Sequence, residues 1–438
     1  MEEIKIKGLD EVIYYDKCSN GMPVYMWVND KVNNFYMTLN VKYGSVDTEF
    51  KREEDKTYKK VHDGIAHFLE HVNFNIDENL TAHELFEKLG ASINAFTTFD
   101  FTSYEVFASS EFEKNLNNLL DYVQKPYFTD KLVEKEKGII VEEVKMGKNR
   151  PGHKLYYGMN RALFKKDKRR FLVTGEEDDV RAISAKELQL VYDTFYHPRN
   201  MFMVITGNFN PYEAIGMIKE NQRQKKFLKY TNPVKKKIIE PVEVNKKKVE
   251  IEANVEIPKV KICYKMARQN FKDYDSLVLA VYLGAILRNN FGNTSLLKED
   301  LMEKELITAI GFSKVIDENI VLIEITFETK YPAEVIPIIQ DKIKNMEISE
   351  EDLKRRRRAN VASLINDYDD IEYVNSDICD QLILYDKIYD NVYEIYNEIC
   401  LAEAQKIIDN LNFDNYSIVS LVPFKKKGLK FDISFLSL

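Results

Sequence analysis

The sequence predicts an α+β protein made of two domains of like plan joined by a linker, and three observations carry that expectation. At 438 residues the chain is too long for one ordinary hydrophobic core. Residues 222–248 are rich in Lys and Arg, contain Pro233 and Pro241, and show little helical periodicity, which marks an extended connector. The segments on either side also end alike. Residues 184–209 read as a capped amphipathic helix, a Pro/Asn turn and a β-rich strand, and residues 401–424 repeat helix, Asn/Asp turn and strand. A weak similarity at a period of roughly 200 residues suggests a duplicated α+β domain rather than a solenoid. The expected division is 1–221, linker 222–248 and 249–438.

In the first half, alternating and β-branched runs predict strands at 12–17, 23–28 and 35–43, followed by a short helix at about 63–75. Thr81-Ala82-His83-Glu84 is a capping box, so a helix opens there and Gly90 ends it. Residues 91–97 and 102–109 alternate as a hairpin, and helices are expected at about 111–124 and 129–148. In the second half, helices are expected at about 273–289, 295–305, 332–345 and 350–384. Strands are expected at 250–256, 259–266, 308–314 and 319–328.

Composition narrows the function. The chain is 45% hydrophobic and 31% charged, with net charge −8 and a pI near 5.6, so no general electrostatic case for nucleic acid exists. The basic run from Lys354 to Arg358 follows the helix-start pattern Ser349-Glu350-Glu351-Asp352 and reads as the solvated face of a helix. The N-terminal residues are charged and lack the apolar stretch of a signal peptide, and no apolar run approaches membrane-spanning length. Cys18, Cys263, Cys379 and Cys400 are widely spaced with no C-x-x-C pair, which fits a reducing cytoplasm better than a disulfide framework. The expectation is a cytoplasmic protein without membrane insertion.

The chemistry concentrates in His67-Phe68-Leu69-Glu70-His71. On a helix, positions i and i+4 lie one turn apart on the same face, so both imidazoles can grip one metal ion. Glu70 projects from that face too, where a base can take a proton from water at the metal. A catalytic zinc needs three protein ligands and one open position. The best source for the third ligand is Glu134 to Val144, in which Glu136 and Glu143 stand two helical turns apart above an apolar stripe of Ile139, Ile140 and Val144. His62, His83 and His197 read as structural or solvent-facing, and His153, beside Pro151-Gly152, as a loop residue.

These segments resemble the pitrilysin/insulinase family of inverzincin metallopeptidases, to which the mitochondrial processing peptidase subunits belong. Gly64-Ile-Ala-His-Phe-Leu-Glu-His71, Glu136-Lys-Gly-Ile-Ile-Val-Glu-Glu143, Asn94-Ala95-Phe96-Thr97 and His197-Pro198 with Asn200-Met201 carry the resemblance. Lys42 to Val46 and Asp63 to Ala66 are similar to a bacterial half-length type found as paired active and inactive subunits. The resemblance implies two homologous α/β-sandwich domains, each an antiparallel-rich sheet with helices packed on it, arranged as half a clamshell. It implies one Zn²⁺ per chain held by His67, His71 and Glu143, with Glu142 the alternative if the register is off by one. Glu70 would be the catalytic base, Glu136 would orient a ligand, and Asn94, Ala95 and Phe96 would line a substrate-binding edge strand. The second half has no H-x-x-E-H around Tyr282 to Phe291, so it would be a non-catalytic lobe. Active relatives often carry an Arg and a Tyr in that lobe, whereas residues 301–328 contain neither. The implied activity is a zinc metalloendopeptidase acting on peptides as a homodimer, or as a heterodimer with an inactive homologue. The other reading is a non-catalytic or weakly active scaffold subunit.

Overall fold

The computed structural model describes residues 1–424. In the first half, strands β1 (Glu2–Ile6), β2 (Glu11–Lys17), β3 (Pro23–Val28) and β4 (Phe35–Val41) precede two short strands, β5 (Glu49–Arg52) and β6 (Lys59–Lys60). Helices α1 (Ile65–Asn73) and α2 (Ala82–Glu87) lead into the hairpin β7 (Ser92–Thr97) and β8 (Thr102–Ala108). Helices α3 (Phe112–Gln124), α4 (Asp130–Asn149), α5 (Pro151–Leu163), α6 (Glu177–Ala182) and α7 (Ala185–Phe195) follow, then β9 (Met201–Gly207) and α8 (Pro211–Gln224). All of these strands except β5 and β6 form one sheet in the order β1-β2-β3-β9-β4-β8-β7, with only β3 and β9 parallel.

After β10 (Pro233–Lys235), which pairs with β5, the second half repeats the plan. Strands β11 (Lys248–Ala253) and β12 (Lys259–Ala267), helices α9 (Ser276–Phe291) and α10 (Leu296–Glu303), and the hairpin β13 (Ala309–Ile316) and β14 (Ile320–Glu328) come first. Helices α11 (Pro332–Lys344), α12 (Glu350–Asp367), α13 (Ile371–Leu384), α14 (Val392–Glu398) and α15 (Leu401–Asp409) then lead to β15 (Tyr416–Pro423). The second sheet runs β11-β15-β12-β14-β13, which matches β3-β9-β4-β8-β7 strand for strand, again with one parallel pair, β11 and β15. The duplication suspected from the two chain ends is therefore a duplication of topology.

Burial explains why the two units stay together. All seven residues of β9 are buried, so the sheet must be covered on both faces. One cover is local: Phe68 and Leu69 of α1, Leu116 and Leu119 of α3, Leu188 of α7 and Ile218 of α8 share a core with Met37 and Ile205. The other cover comes from the second half, where Val374, Ile378 and Leu382 of α13 pack on Trp27, Phe202 and Val204. The exchange is reciprocal. Leu155, Met159 and Leu163 of α5 pack on Cys263, Leu322 and Val419 of the second sheet. At Gly158 a Cβ would meet the Ile251 Cδ1 atom at 2.6 Å, so a larger residue would have to displace the end of that side chain for α5 to lie this close.

The sequence expected one helix over 350–384, but the structure breaks it into α12 and α13. The Asp370 carboxylate accepts from the N–H groups of Glu372 and Tyr373, a cap that starts a new helix. His153, expected in a loop beside Pro151-Gly152, lies instead in helix α5, because proline is tolerated in the first turn.

The chain between the halves is pinned at Glu240. Its carboxylate accepts from the backbone N–H groups of Lys165, Lys166 and Asp167 and pairs with Lys265 Nζ at 2.8 Å. Both side chains are almost wholly buried, at 0% and 5% exposure. Glu240→Ala is expected to cost about 3–5 kcal/mol, because the Lys265 ammonium would be left buried without its partner. Urea unfolding of the two proteins measures this, and a loss under about 1 kcal/mol would contradict it.

Candidate metal centre

Helix α1 starts abruptly at Gly64, whose φ of 87° is left-handed. A Cβ there would lie 2.4 Å from the Thr174 carbonyl oxygen, so the loop at Thr174–Gly175 closes directly over the helix start. Eight of the nine residues of α1 are buried, packed by β7, β8, α4 and α7. Apolar Ile65, Phe68, Leu69 and Val72 anchor the helix in the core and turn His67, Glu70 and His71 towards α4 and the edge strand β7.

Helix α4 supplies the opposing carboxylates. His67 Nε2 lies 3.7 Å from Glu143 Oε1, and His71 Nε2 lies 3.4 Å from Glu143 Oε2. The other ring nitrogen of His71, Nδ1, lies 3.7 Å from Glu136 Oε2. One ligand atom from each of His67, His71 and Glu143 falls within 4.8 Å of the others. Exposure rises across the set, from 10% for the His67 side chain through 23% for His71 to 43% for Glu143, so the cluster opens to solvent on the Glu143 side.

The donor set fits a divalent cation. Ligand bonds of about 2.0–2.1 Å at tetrahedral angles put neighbouring donors about 3.4 Å apart, close to both Glu143 contacts. At 3.7 Å a hydrogen bond is not made. Two imidazoles and one carboxylate form a three-ligand set that leaves a fourth position open. Glu136, buried beside Nδ1 of His71, stands where a carboxylate fixes the ring of a metal-binding histidine.

Burial and the facing carboxylates shift the titrating groups of the cluster in opposite directions. Burial, with His71 alongside, pushes His67 down to about 4. Burial also acts to lower His71, but its contacts with Glu136 and Glu143 outweigh this and carry it up to about 9. Contact with His71 holds Glu143 below the usual carboxylate range. Burial raises Glu70 to about 7, opposed by a hydrogen bond from Thr97 Oγ1 to Glu70 Oε2 at 2.6 Å. One oxygen of Glu70 is therefore held and Oε1 is left for proton transfer.

Thr97 is the functional side chain that sequence reasoning passed over. The signal was present: β7 alternates exposed and half-buried, which puts Ile93, Ala95 and Thr97 on one side and Ser92, Asn94 and Phe96 on the other. Strand β7 is the edge of its sheet, so Asn94, Ala95 and Phe96 lie on an unpaired border, with Asn94 opposite Glu105 on β8. Glu142 points elsewhere, exposed and paired with Lys145 at 2.6 Å. His62 pairs with Glu187, His83 stacks on Phe74 and His197 accepts from the Arg199 N–H. His153 is in the first turn of α5, not in a loop. Together with Arg150 and Tyr157 it borders a cavity of about 80 Å³ that reaches Glu143.

The chain is similar to known proteins over almost its whole length. The family profile described as insulinase (peptidase family M16) matches residues 51–170, and that of the peptidase M16 inactive domain matches residues 182–360. A Bacillus subtilis protein named uncharacterized zinc protease YmfH is 30% identical over 427 residues, covering 97% of this chain and 99% of that protein. The crystal structure of a candidate M16-like peptidase from Alicyclobacillus acidocaldarius is 26% identical, with a TM-score of 0.88 over 95% of this chain and 100% of that one. The periplasmic protease PqqL of Escherichia coli shares the fold at 15% identity and a TM-score of 0.73, with 94% of this chain matching 47% of PqqL.

Proposed function

The chain belongs to the insulinase family, peptidase family M16, and from that premise we propose that it is a zinc-dependent metalloendopeptidase hydrolysing peptides or short unfolded segments. The observation that carries the proposal is the meeting of His67, His71 and Glu143 within 4.8 Å beside a buried Glu70 whose second oxygen is free. His67, His71 and Glu143 would hold one Zn²⁺ per chain, and Glu136 would fix the His71 ring. Bound zinc would polarise the scissile carbonyl and make water a competent nucleophile near neutral pH. Glu70 Oε1 would take the proton of the attacking water as its oxygen bonds to the carbonyl carbon. It would then deliver that proton to the leaving nitrogen as the C–N bond breaks. A group that titrates near neutrality suits both transfers. Strand β7 would take the peptide as an added strand along Asn94, Ala95 and Phe96, with main-chain hydrogen bonds that tolerate varied sequence.

Residues 1–221 would be the catalytic domain, 222–248 the linker and 249–438 the non-catalytic homologue. Because this chain matches about half of PqqL, a second half-length subunit, identical or inactive, would complete the chamber. The lack of Arg and Tyr in residues 301–328 favours an inactive partner that supplies them. It also sustains the second reading, a scaffold subunit with weak or no activity. The four cysteine thiols are free, which suits a reducing cytoplasm, and among the described residues no helix is long and apolar enough to cross a membrane.

The test is cleavage of a quenched fluorescent peptide by the whole chain, alone and with a half-length inactive homologue. Chelation should abolish turnover and added zinc restore it. Zinc bound without turnover in either arrangement would overturn the proposal in favour of the scaffold. Thr97→Val adds a finer check. Loss of that hydrogen bond removes a contact that lowers the Glu70 pKa, so the acid limb of the rate profile should move to higher pH. The rate near neutrality should fall about tenfold, the value of one hydrogen bond to a charged group, with zinc content unchanged. An unmoved acid limb would contradict the role given to Thr97.

A further inference from the structure

The duplication has a second consequence at the place in the second half that corresponds to the metal centre. Gly284 and Arg288 on α9 have the four-residue spacing of His67 and His71 on α1. Helices α4 and α12 open with matching caps, Thr129 and Ser349, each accepting from the N–H three residues on. Glu136 is seven residues past its cap (136 − 129), and seven past Ser349 is Arg356 (349 + 7). Counted the same way, Ser363 takes the place of Glu143. The edge strand β13, which corresponds to β7, contributes Lys314. Its Nζ lies 3.5 Å from where a Cβ on Gly284 would sit.

The site has thus changed sign. The first half sets carboxylates around imidazoles, whereas the second carries Arg288, Lys314 and Arg356 on the corresponding elements, with Lys314 packed beside Gly284. Asn289, next in sequence to Arg288, ties the two helices together by donating to Asp352 Oδ2 at 3.3 Å, one helical turn before Arg356. Among the described residues none of the three cations has a carboxylate within ion-pair distance, and Asp352 is taken by Arg355 at 2.6 Å. Arg356 is only 8% exposed, and its Nε is buried with no hydrogen-bond partner. A buried guanidinium without an acceptor is costly, and an incoming acceptor relieves that cost. Burial and the neighbouring Arg288 lower the pKa of both Lys314 and Arg356, so each cation is felt by another.

We propose that Arg288, Lys314 and Arg356 form a binding site for an oxyanion, a phosphate or the carboxylate of an acidic peptide side chain, where the catalytic half has its metal centre. Guanidinium groups suit planar or tetrahedral oxyanions because they offer paired donors. Gly284, having no side chain, lets Lys314 lie close against α9.

Calorimetric titration of the whole chain at constant ionic strength, with inorganic phosphate and separately with acetylated tetraglutamate, tests the site. Binding of phosphate alone assigns a free anion, and binding of the peptide assigns a carboxylate. In either case Arg288→Gln and Arg356→Gln should each weaken binding about tenfold, whereas anion held at the metal centre would be untouched by them. Arg356→Met should be at least as stable as the wild type in phosphate-free buffer and should lose any anion-dependent rise in Tm. Failure of both probes to bind, binding that survives both Gln substitutions, or an Arg356→Met protein that melts earlier would each overturn the proposal.

Discussion

Glu70→Gln is expected to reduce peptide turnover by about 10³-fold while leaving zinc in place, since general base catalysis commonly contributes about 10²–10⁴. The amide matches the carboxylate in shape, and its oxygen can still accept from Thr97 Oγ1, now at 2.6 Å from Glu70 Oε2. The substitution removes the capacity to take a proton and little else. Because Glu70 is buried against α4 and β7 and is 6% exposed, water has little access from which to replace the lost base. The ratio of kcat/KM values for the two proteins, with zinc measured on the same samples, decides the matter. A variant within tenfold of the wild type would remove Glu70 from the chemistry.

Glu143→Gln is expected to strip the chain of zinc on dialysis, and turnover should go with it. The carboxylate faces both imidazoles, at 3.7 and 3.4 Å, and its removal leaves two neutral donors and no charge against the ion. Two neighbouring substitutions calibrate the effect. Glu136→Gln should weaken zinc only about 10–100-fold, as expected for a residue that orients a ligand. Glu142→Gln, whose carboxylate is exposed and paired with Lys145, should change nothing. Zinc lost from Glu142→Gln but kept by Glu143→Gln would shift the ligand assignment by one residue.

Much of the centre was legible in the sequence because a helix converts spacing into direction. A spacing of four between two histidines places both rings on one face, and a spacing of seven between Glu136 and Glu143 does the same for α4. The duplicated topology was legible only at the chain ends, where helix, turn and strand recur in plain order. What escaped depends on partners distant in sequence. An amphipathic pattern shows that Leu155, Met159 and Leu163 of α5 must be covered, but not that the cover is the other half's sheet. The same holds for α13, which closes the first sheet from far along the chain, as in the hydrogen bond that Thr206 Oγ1 donates to the Ile371 carbonyl 165 residues away. Thr97 reads as an ordinary strand residue until the fold brings its hydroxyl to Glu70, 27 positions earlier. The reversal of charge at Arg288, Lys314 and Arg356 could not be read before the caps of α4 and α12 gave the two halves a common register.

The most direct test of the account is anomalous diffraction from crystals of the wild-type chain, recorded above and below the zinc edge. One zinc peak per chain is expected in the first half, about 2.0–2.2 Å from nitrogens of His67 and His71 and an oxygen of Glu143, with Glu70 outside the coordination sphere. A zinc liganded by Glu70 or Glu142, or crystals grown with zinc that show no peak at these residues, would contradict it.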